Sequence, residues 1–163
     1  MNALDVDSGE IKEWAEGKMA RQGLPLPAKP KGKDPTFEYP EDPSKLTPVE
    51  IGQWMSRFAG WFNYATSLLG RVASELVPVD SEYRLRVNAL RADVLDRLPS
   101  RPAAEVVESE MLKRHDGLAP LYKRRLELMT VEKTLEARVR MYERGYQAMS
   151  RELTRREMEG KIQ

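Results

Sequence analysis

Apolar residues recur every seven positions along the C-terminal part of the chain. Leu121, Leu128, Leu135, Tyr142 and Met149 form one series; Met111, Leu118, Val139, Tyr146 and Leu153 form the complementary one. Only Arg125 and Glu132 interrupt the second series. A heptad repeat keeps one stripe of an α-helix facing a partner and favours a left-handed supercoil. From Pro102 to about Met158 the stripe predicts one helical element, roughly 85 Å long if straight at 1.5 Å per residue. A compact fold of this mass is far shorter. The seam is therefore expected to pack against copies of itself or another protein, with Leu128, Leu135, Val139, Tyr142, Tyr146, Met149 and Leu153 as its interface. Gly117 and Pro120 predict a kink or a break. Arg125 and Glu132 carry opposite charge: either they pair between neighbouring helices and set register, or the kink turns them to solvent.

Upstream, Thr47-Pro48-Val49-Glu50 is a helix start, with Thr47 as cap, Pro48 in the first turn and Glu50 reaching back. Ile51, Trp54, Phe58, Trp61, Ala65, Leu68 and Val72 follow at helical spacing, and Met55, Phe62, Leu69 and Leu76 widen the stripe. So wide an apolar face needs more than one neighbour. The helix is expected to stop before Pro78. A second helix, from about Asp80 to before Pro99, carries Tyr83, Val87, Leu90, Val94 and Leu98 inward, and Ser100 and Arg101 turn the chain. Near the N-terminus, Asp7 and Glu10 suggest a capping box for a helix over 8–21 anchored by Ile11 and Trp14. Six prolines between Pro25 and Pro43 then predict an extended linker. The reading is an all-α fold: a helical hairpin feeding a long C-terminal helix that drives oligomerisation. Residues 1–46 form a short helix plus a partly disordered Pro-rich linker, and 47–163 a helical, oligomerising, DNA-binding domain.

Charge sharpens this division. The chain has 27 basic and 26 acidic residues, a net charge of +1. Six of the seven basic residues in 1–46 are Lys, whereas sixteen of the twenty in 47–163 are Arg. Arginine favours planar, fork-like contacts, so the second part is the contact-making one. The longest uncharged apolar stretch, Phe58 to Gly70, is too short for a bilayer, which needs about 20 residues. Asp5, Asp7 and Glu10 do not suit a signal peptide. No membrane association and a cytoplasmic location are expected, in the host cytoplasm if the chain is phage-encoded.

Catalytic signatures are weak. There is no Cys, and His115, beside Asp116 and Gly117, is the only histidine; a metal site needs several converging ligands. No phosphate-cradling glycine loop is present, and no nucleophile stands out. Glu105, Glu108 and Glu110 read as a solvated helix face. No enzyme activity, catalytic residue, cofactor or metal is expected. Basic clusters are the better signal. Arg84, Arg86, Arg91 and Arg97 lie within fourteen residues, partly offset by Asp80, Glu82, Asp93 and Asp96. Lys123, Arg124 and Arg125 form a second cluster, and Arg151, Arg155 and Arg156 a third. Single-strand binders need basic groups that track the backbone.

The order of these features, a tryptophan-bearing helix, a basic-x-basic step and a long C-terminal helix, resembles phage recombination mediators of the UvsY type. The likeness covers about residues 47–160. It rests on Trp61 followed by Tyr83-Arg84-Leu85-Arg86-Val87, and on Arg144-Gly145-Tyr146 followed by Arg155 or Arg156 and Met158-Glu159-Gly160. It implies a homo-oligomeric ring, of six or seven subunits, formed through C-terminal helices. It also implies binding of single-stranded DNA coated by single-strand-binding protein, and help in loading a RecA-like recombinase. Arg84 and Arg86 match the family's DNA-binding step. The competing expectation is a helical assembly, adaptor or scaffold protein with no nucleic-acid role.

Overall fold

The structure, a computed structural model, describes residues 6–23, 27–98 and 102–162, with the side chain of residue 162 left aside. The described residues form four α-helices: α1 (Ser8–Arg21), α2 (Pro48–Leu95), α3 (Ala104–Arg114) and α4 (Leu118–Ile162). Two short 3-10 turns, Pro35–Phe37 and Pro43–Lys45, precede α2. The fold is all-α, as the periodicity predicts. Two compact units share the long helices: Met1–Pro25 with Arg71–Glu132, and Leu26–Gly70 with Lys133–Gln163.

The helix starts follow their caps. The Asp7 side chain accepts from the backbone N–H of Gly9 at 2.7 Å and of Glu10 at 3.3 Å. At the head of α2, Glu50 accepts from the Thr47 N–H at 2.7 Å while the Thr47 hydroxyl accepts from the Glu50 N–H, a reciprocal capping box. Gly23, at φ +66°, supplies the left-handed residue just beyond α1.

Two features depart from the sequence reading, and one decides between the kink and the break expected at Gly117 and Pro120. First, α2 does not stop at Pro78 but continues to Leu95. An interior proline costs about 3 kcal/mol through a lost backbone hydrogen bond and a ring clash. In the first unit that cost is offset by tertiary contacts on both sides of it. Pro78, Val79 and Tyr83 are buried, and the flanking acids Glu75 and Asp80 are ion-paired to Arg124 and Arg125 of α4. Second, the C-terminal element is two helices, divided at His115–Gly117. His115 caps α3, its N–H bonding the Met111 carbonyl. Pro120 is the third residue of α4, where its missing N–H has no intrahelical partner to lose. Third, Ile11 and Trp14 do not anchor α1: they are 43% and 61% exposed, and no residue of α1 is buried. Polar contacts hold α1 instead. The Ser8 N–H donates to Glu82 at 2.9 Å and Lys12 pairs with Glu75 at 3.0 Å. The turn expected at Ser100 and Arg101 lies outside the described residues.

The seam does not wait for another chain. In the first unit, Tyr83 and Val94 of α2 form a cluster with Val107 and Met111 of α3 and Leu118 of α4. In the second, Ile51, Phe58, Trp61 and Ala65 of α2 enclose Tyr142 and Met149 of α4, with Val139 and Leu153 packed alongside. The approach is close at Gly145, where a β-carbon would clash with the edge of the Phe58 ring. Arg125, the polar break in the seam, is paired within the chain to Asp80 and lies 5.2 Å from the centre of the Tyr83 ring.

The Pro-rich stretch, read above as a linker, has contacts of its own in the second unit. Asp34 and Asp42 each cap a 3-10 turn, accepting from Thr36 and Ser44. Asp34 also accepts from the buried Tyr142 hydroxyl at 2.6 Å. Arg156 donates to the carbonyls of Pro43, Ser44 and Leu46. Pro35 is buried, and the Tyr39 and Phe58 ring centres lie 6.0 Å apart.

Two stability predictions follow from the second unit. Gly145→Ala would gain about 1 kcal/mol in helix propensity but crowd Phe58. Overpacking costs roughly 1–3 kcal/mol, so a lower melting temperature is expected; a rise would mean that Phe58 moves aside freely. The second concerns pH. Burial, then donation to Asp34, raises the Tyr142 pKa above its ordinary 10. Burial pushes Asp34 up, but hydrogen bonds from Tyr142 and Thr36 and the charge of Arg138 outweigh it, leaving its pKa below 3.8. The tyrosine contribution is complete below pH 10 and is lost as pH rises beyond it; the carboxylate contribution is complete above about pH 4 and is lost as pH falls through the depressed value. Tyr142→Phe should lower stability at pH 7 by about 1–3 kcal/mol and make its decline above pH 10 shallower. Urea unfolding across pH checks this, and an alkaline slope identical to that of the unmodified chain would reject it.

Candidate nucleic-acid interface

The four arginines singled out lie in the first unit, Arg84, Arg86 and Arg91 on α2 and Arg97 in the turn beyond its end at Leu95. Arg84 and Arg91 are seven residues apart and so within about 20° of one another around the axis. Arg86 lies on a different face, roughly 160° from Arg84. The structure therefore does not bring the four onto one track.

Their electrostatics differ as much as their directions. Arg86 pairs with Glu82 at 2.6 Å. Glu82 is only 6% exposed and also accepts from the Ser8 N–H, so Arg86 neutralises a buried carboxylate that ties α1 to α2. Its Nε is buried without a hydrogen-bond partner. Arg84 is far more open, at 70% side-chain exposure, and holds Asp80 at 2.8 Å, a carboxylate that Arg125 also engages. Arg91 and Arg97 are exposed and have no ion-pair partner among the described residues. The usable face is thus Arg84 with Arg91, about 10.5 Å apart along the axis. Arg86, the other half of the basic-x-basic step, is committed to structure.

The remaining basic clusters are also largely committed. Arg124 pairs with Glu75 and Glu127, Lys123 lies 3.9 Å from Glu127, and Arg125 pairs with Asp80. In the third cluster, Arg155 bridges Glu152 and Glu159, and Arg156 combines Glu152 with its three backbone carbonyls. Two guanidinium groups beside it depress the Glu152 pKa to about 2. Arg151 alone of that cluster is free of such pairing. Of the unpaired arginines, Arg91, Arg144 and Arg151 have no acid three or four residues away on either side, but Arg97 has Asp93. Arg57, Arg125 and Arg138, which also lack such a neighbour, pair with Glu38, Asp80 and Asp34 from elsewhere in the chain. Arg144 was not among the residues singled out on charge.

The seven seam residues read as a subunit interface are mostly covered within the chain. Leu128, Tyr142 and Met149 are 5%, 3% and 0% exposed. Val139 and Leu153 pack on the second core cluster, Leu135 is half-buried, and Tyr146 remains 39% exposed. Sequence reasoning also missed Glu108. It is not a solvated acid but accepts from the Tyr83 hydroxyl, and burial followed by this bond raises the tyrosine pKa. Glu108 borders an open cleft of about 450 Å³ with Glu105, Ser109, Lys113 and Tyr122. Two carboxylates make that cleft a poor phosphate site. Among the described residues no His, Cys, Asp and Glu group is placed to hold a metal ion, and no helix is long and apolar enough to cross a membrane. Comparison with protein families, with curated proteins and with solved structures finds no match to this chain.

Proposed function

We propose that this chain is a non-enzymatic binder of single-stranded DNA that works as a recombination mediator, helping a RecA-like recombinase onto DNA coated by single-strand-binding protein. The observation that carries the binding step is the open Arg84–Arg91 face of α2. A guanidinium presents forked donors that match phosphate oxygens. The carboxylate partner of Arg84 is shared with Arg125, so Arg84 can turn to a phosphate without leaving Asp80 unpaired. The mediator role follows the resemblance of residues 47–160 to the UvsY type. Such work needs no covalent step, only different affinities for different DNA and protein states. Ring assembly belongs to the same proposal, but it must use surface other than the covered seam; Tyr146 is the seam residue still open to it.

A helical adaptor without a nucleic-acid role is the second reading. Its supporting observation is α1, whose Ile11, Trp14 and Met19 are all exposed. Fluorescence anisotropy with a labelled single-stranded oligonucleotide separates the two readings, and absence of binding at low salt would favour the adaptor. Arg84→Gln with Arg91→Gln should weaken binding and reduce its salt dependence, at unchanged melting temperature. Arg86→Ala should instead destabilise the fold by roughly 1–3 kcal/mol, because it strips a buried carboxylate of its partner. A thermally silent Arg86→Ala that weakens DNA binding would return Arg86 to the binding face.

A further inference from the structure

We propose that Arg140, Arg144 and Arg151 form a second backbone-binding track for single-stranded DNA, on the exposed face of α4 in the second unit. This rests on the single-strand-binding reading above, but on different residues. The three positions lie within about 40° of one another around the helix, at axial steps of roughly 6 and 10.5 Å. Their orientation is fixed from behind. Tyr142, Gly145 and Met149 are buried against α2, and these lie on the opposite side of the helix from the arginines. The close fit of Gly145 on Phe58 leaves α4 no freedom to roll.

The charge on this face is uncommitted. Arg144 and Arg151 are exposed and have no ion-pair partner among the described residues. Arg140 is 69% exposed and its one carboxylate, Glu136, is 3.9 Å away and bound more closely by Lys133 at 3.0 Å. Gln147, between the two free arginines, offers an amide donor; its present acceptor is Glu143 at 3.4 Å, an acid that, like Glu136, stands at the edge of the track. The neighbouring cations of α4 are occupied: Arg138 with Asp34, and Arg155 with Glu152 and Glu159. Three guanidiniums in line suit a flexible chain of phosphates. A membrane surface would need a broad apolar flank beside the charge; the large apolar residues exposed at this level are Met141 and Tyr146, one to each side of the line.

The experiment is a salt titration of the full chain with a labelled poly-thymidine oligonucleotide. Each phosphate contact on a single strand contributes about 0.7 to the slope of log K against log salt. Arg144→Gln with Arg151→Gln should lower the slope by about 1.4, shrinking the affinity change between 50 and 200 mM salt about sevenfold. Arg144→Lys with Arg151→Lys should restore the slope. Melting temperature should stay unchanged, and if the double Gln variant unfolds, each single variant should lower the slope by about 0.7. If the wild-type chain binds and its slope survives the double Gln change, the α4 track is wrong while the α2 reading stands. If the slope falls here but not in Arg84→Gln with Arg91→Gln, the α4 track stands and the α2 face is wrong. Wild-type failure to bind overturns both. Tighter binding to phosphatidylserine vesicles than to the oligonucleotide, lost in the double Gln variant, would overturn the track in favour of a lipid surface.

Discussion

The missing side chain at Gly145 is what the second unit depends on. It lets the backbone of α4 meet the ring of Phe58, and the rest of that unit's core follows from the approach. Tyr142 and Met149, one turn to either side, are carried into the aromatic surface of α2. A buried tyrosine hydroxyl must then find an acceptor. Asp34 supplies it, and so the Pro-rich stretch is drawn onto the helices. Asp34 is itself preset for this by the 3-10 turn it caps. One absent methyl group thus links a helix contact to the course of a proline-rich segment more than a hundred residues away in sequence.

The first unit has a different kind of centre. Its apolar cluster resembles the second's, with a tyrosine again donating to a carboxylate, Tyr83 to Glu108. Around it, however, acids on α2 do the connecting. Glu75 takes Lys12 and Arg124, Asp80 takes Arg84 and Arg125, and Glu82 takes Ser8 and Arg86. Glu75 and Asp80 flank Pro78 at three residues before and two after. The ion pairs on either side of the proline help explain how α2 continues through a residue that ordinarily ends a helix.

That continuation also explains which parts of the structure were legible in the sequence. Helix starts at Asp7 and Thr47 could be read because a cap is local chemistry. The break before Leu118 could be read because Gly117 and Pro120 act locally too. The heptad series identified the stripe that is buried, but periodicity carries no information about the partner. Read as one helix of roughly 85 Å, the stripe was too long for a compact fold of this mass, and copies of the chain or another protein had to be invoked to cover it. With α2 continuous, the residues 48–70 cover α4 in one unit and 71–95 cover α3 and the start of α4 in the other. The Pro-rich stretch was misjudged for a related reason. Six prolines signal an extended chain, but Asp34-Pro35-Thr36 and Asp42-Pro43-Ser44 are also turn signals, and the decisive partners, Tyr142 and Arg156, lie far away in sequence.

Charge was legible only in part, because sequence density is the wrong measure of it. In the basic runs Arg84 to Arg97 and Arg151 to Arg156, several arginines sit beside acids at helical spacing, and there the structure pairs them: Asp80 with Arg84, Glu82 with Arg86, Glu152 with Arg156. Arg91, Arg144 and Arg151 are left over and have no acid three or four positions away, but Arg125 and Arg138 share that pattern and are paired by acids distant in sequence. A net charge of +1 therefore says little about affinity for a polyanion. What a phosphate chain would meet is the spacing of exposed guanidiniums, and on both long helices that spacing is seven residues, Arg84 to Arg91 and Arg144 to Arg151. The interval that keeps an apolar stripe facing inward also holds a charged stripe in register on the outside. A helix pinned on one side by buried aromatics presents its opposite side as a fixed ruler, so rigidity in the core is converted directly into geometry at the surface.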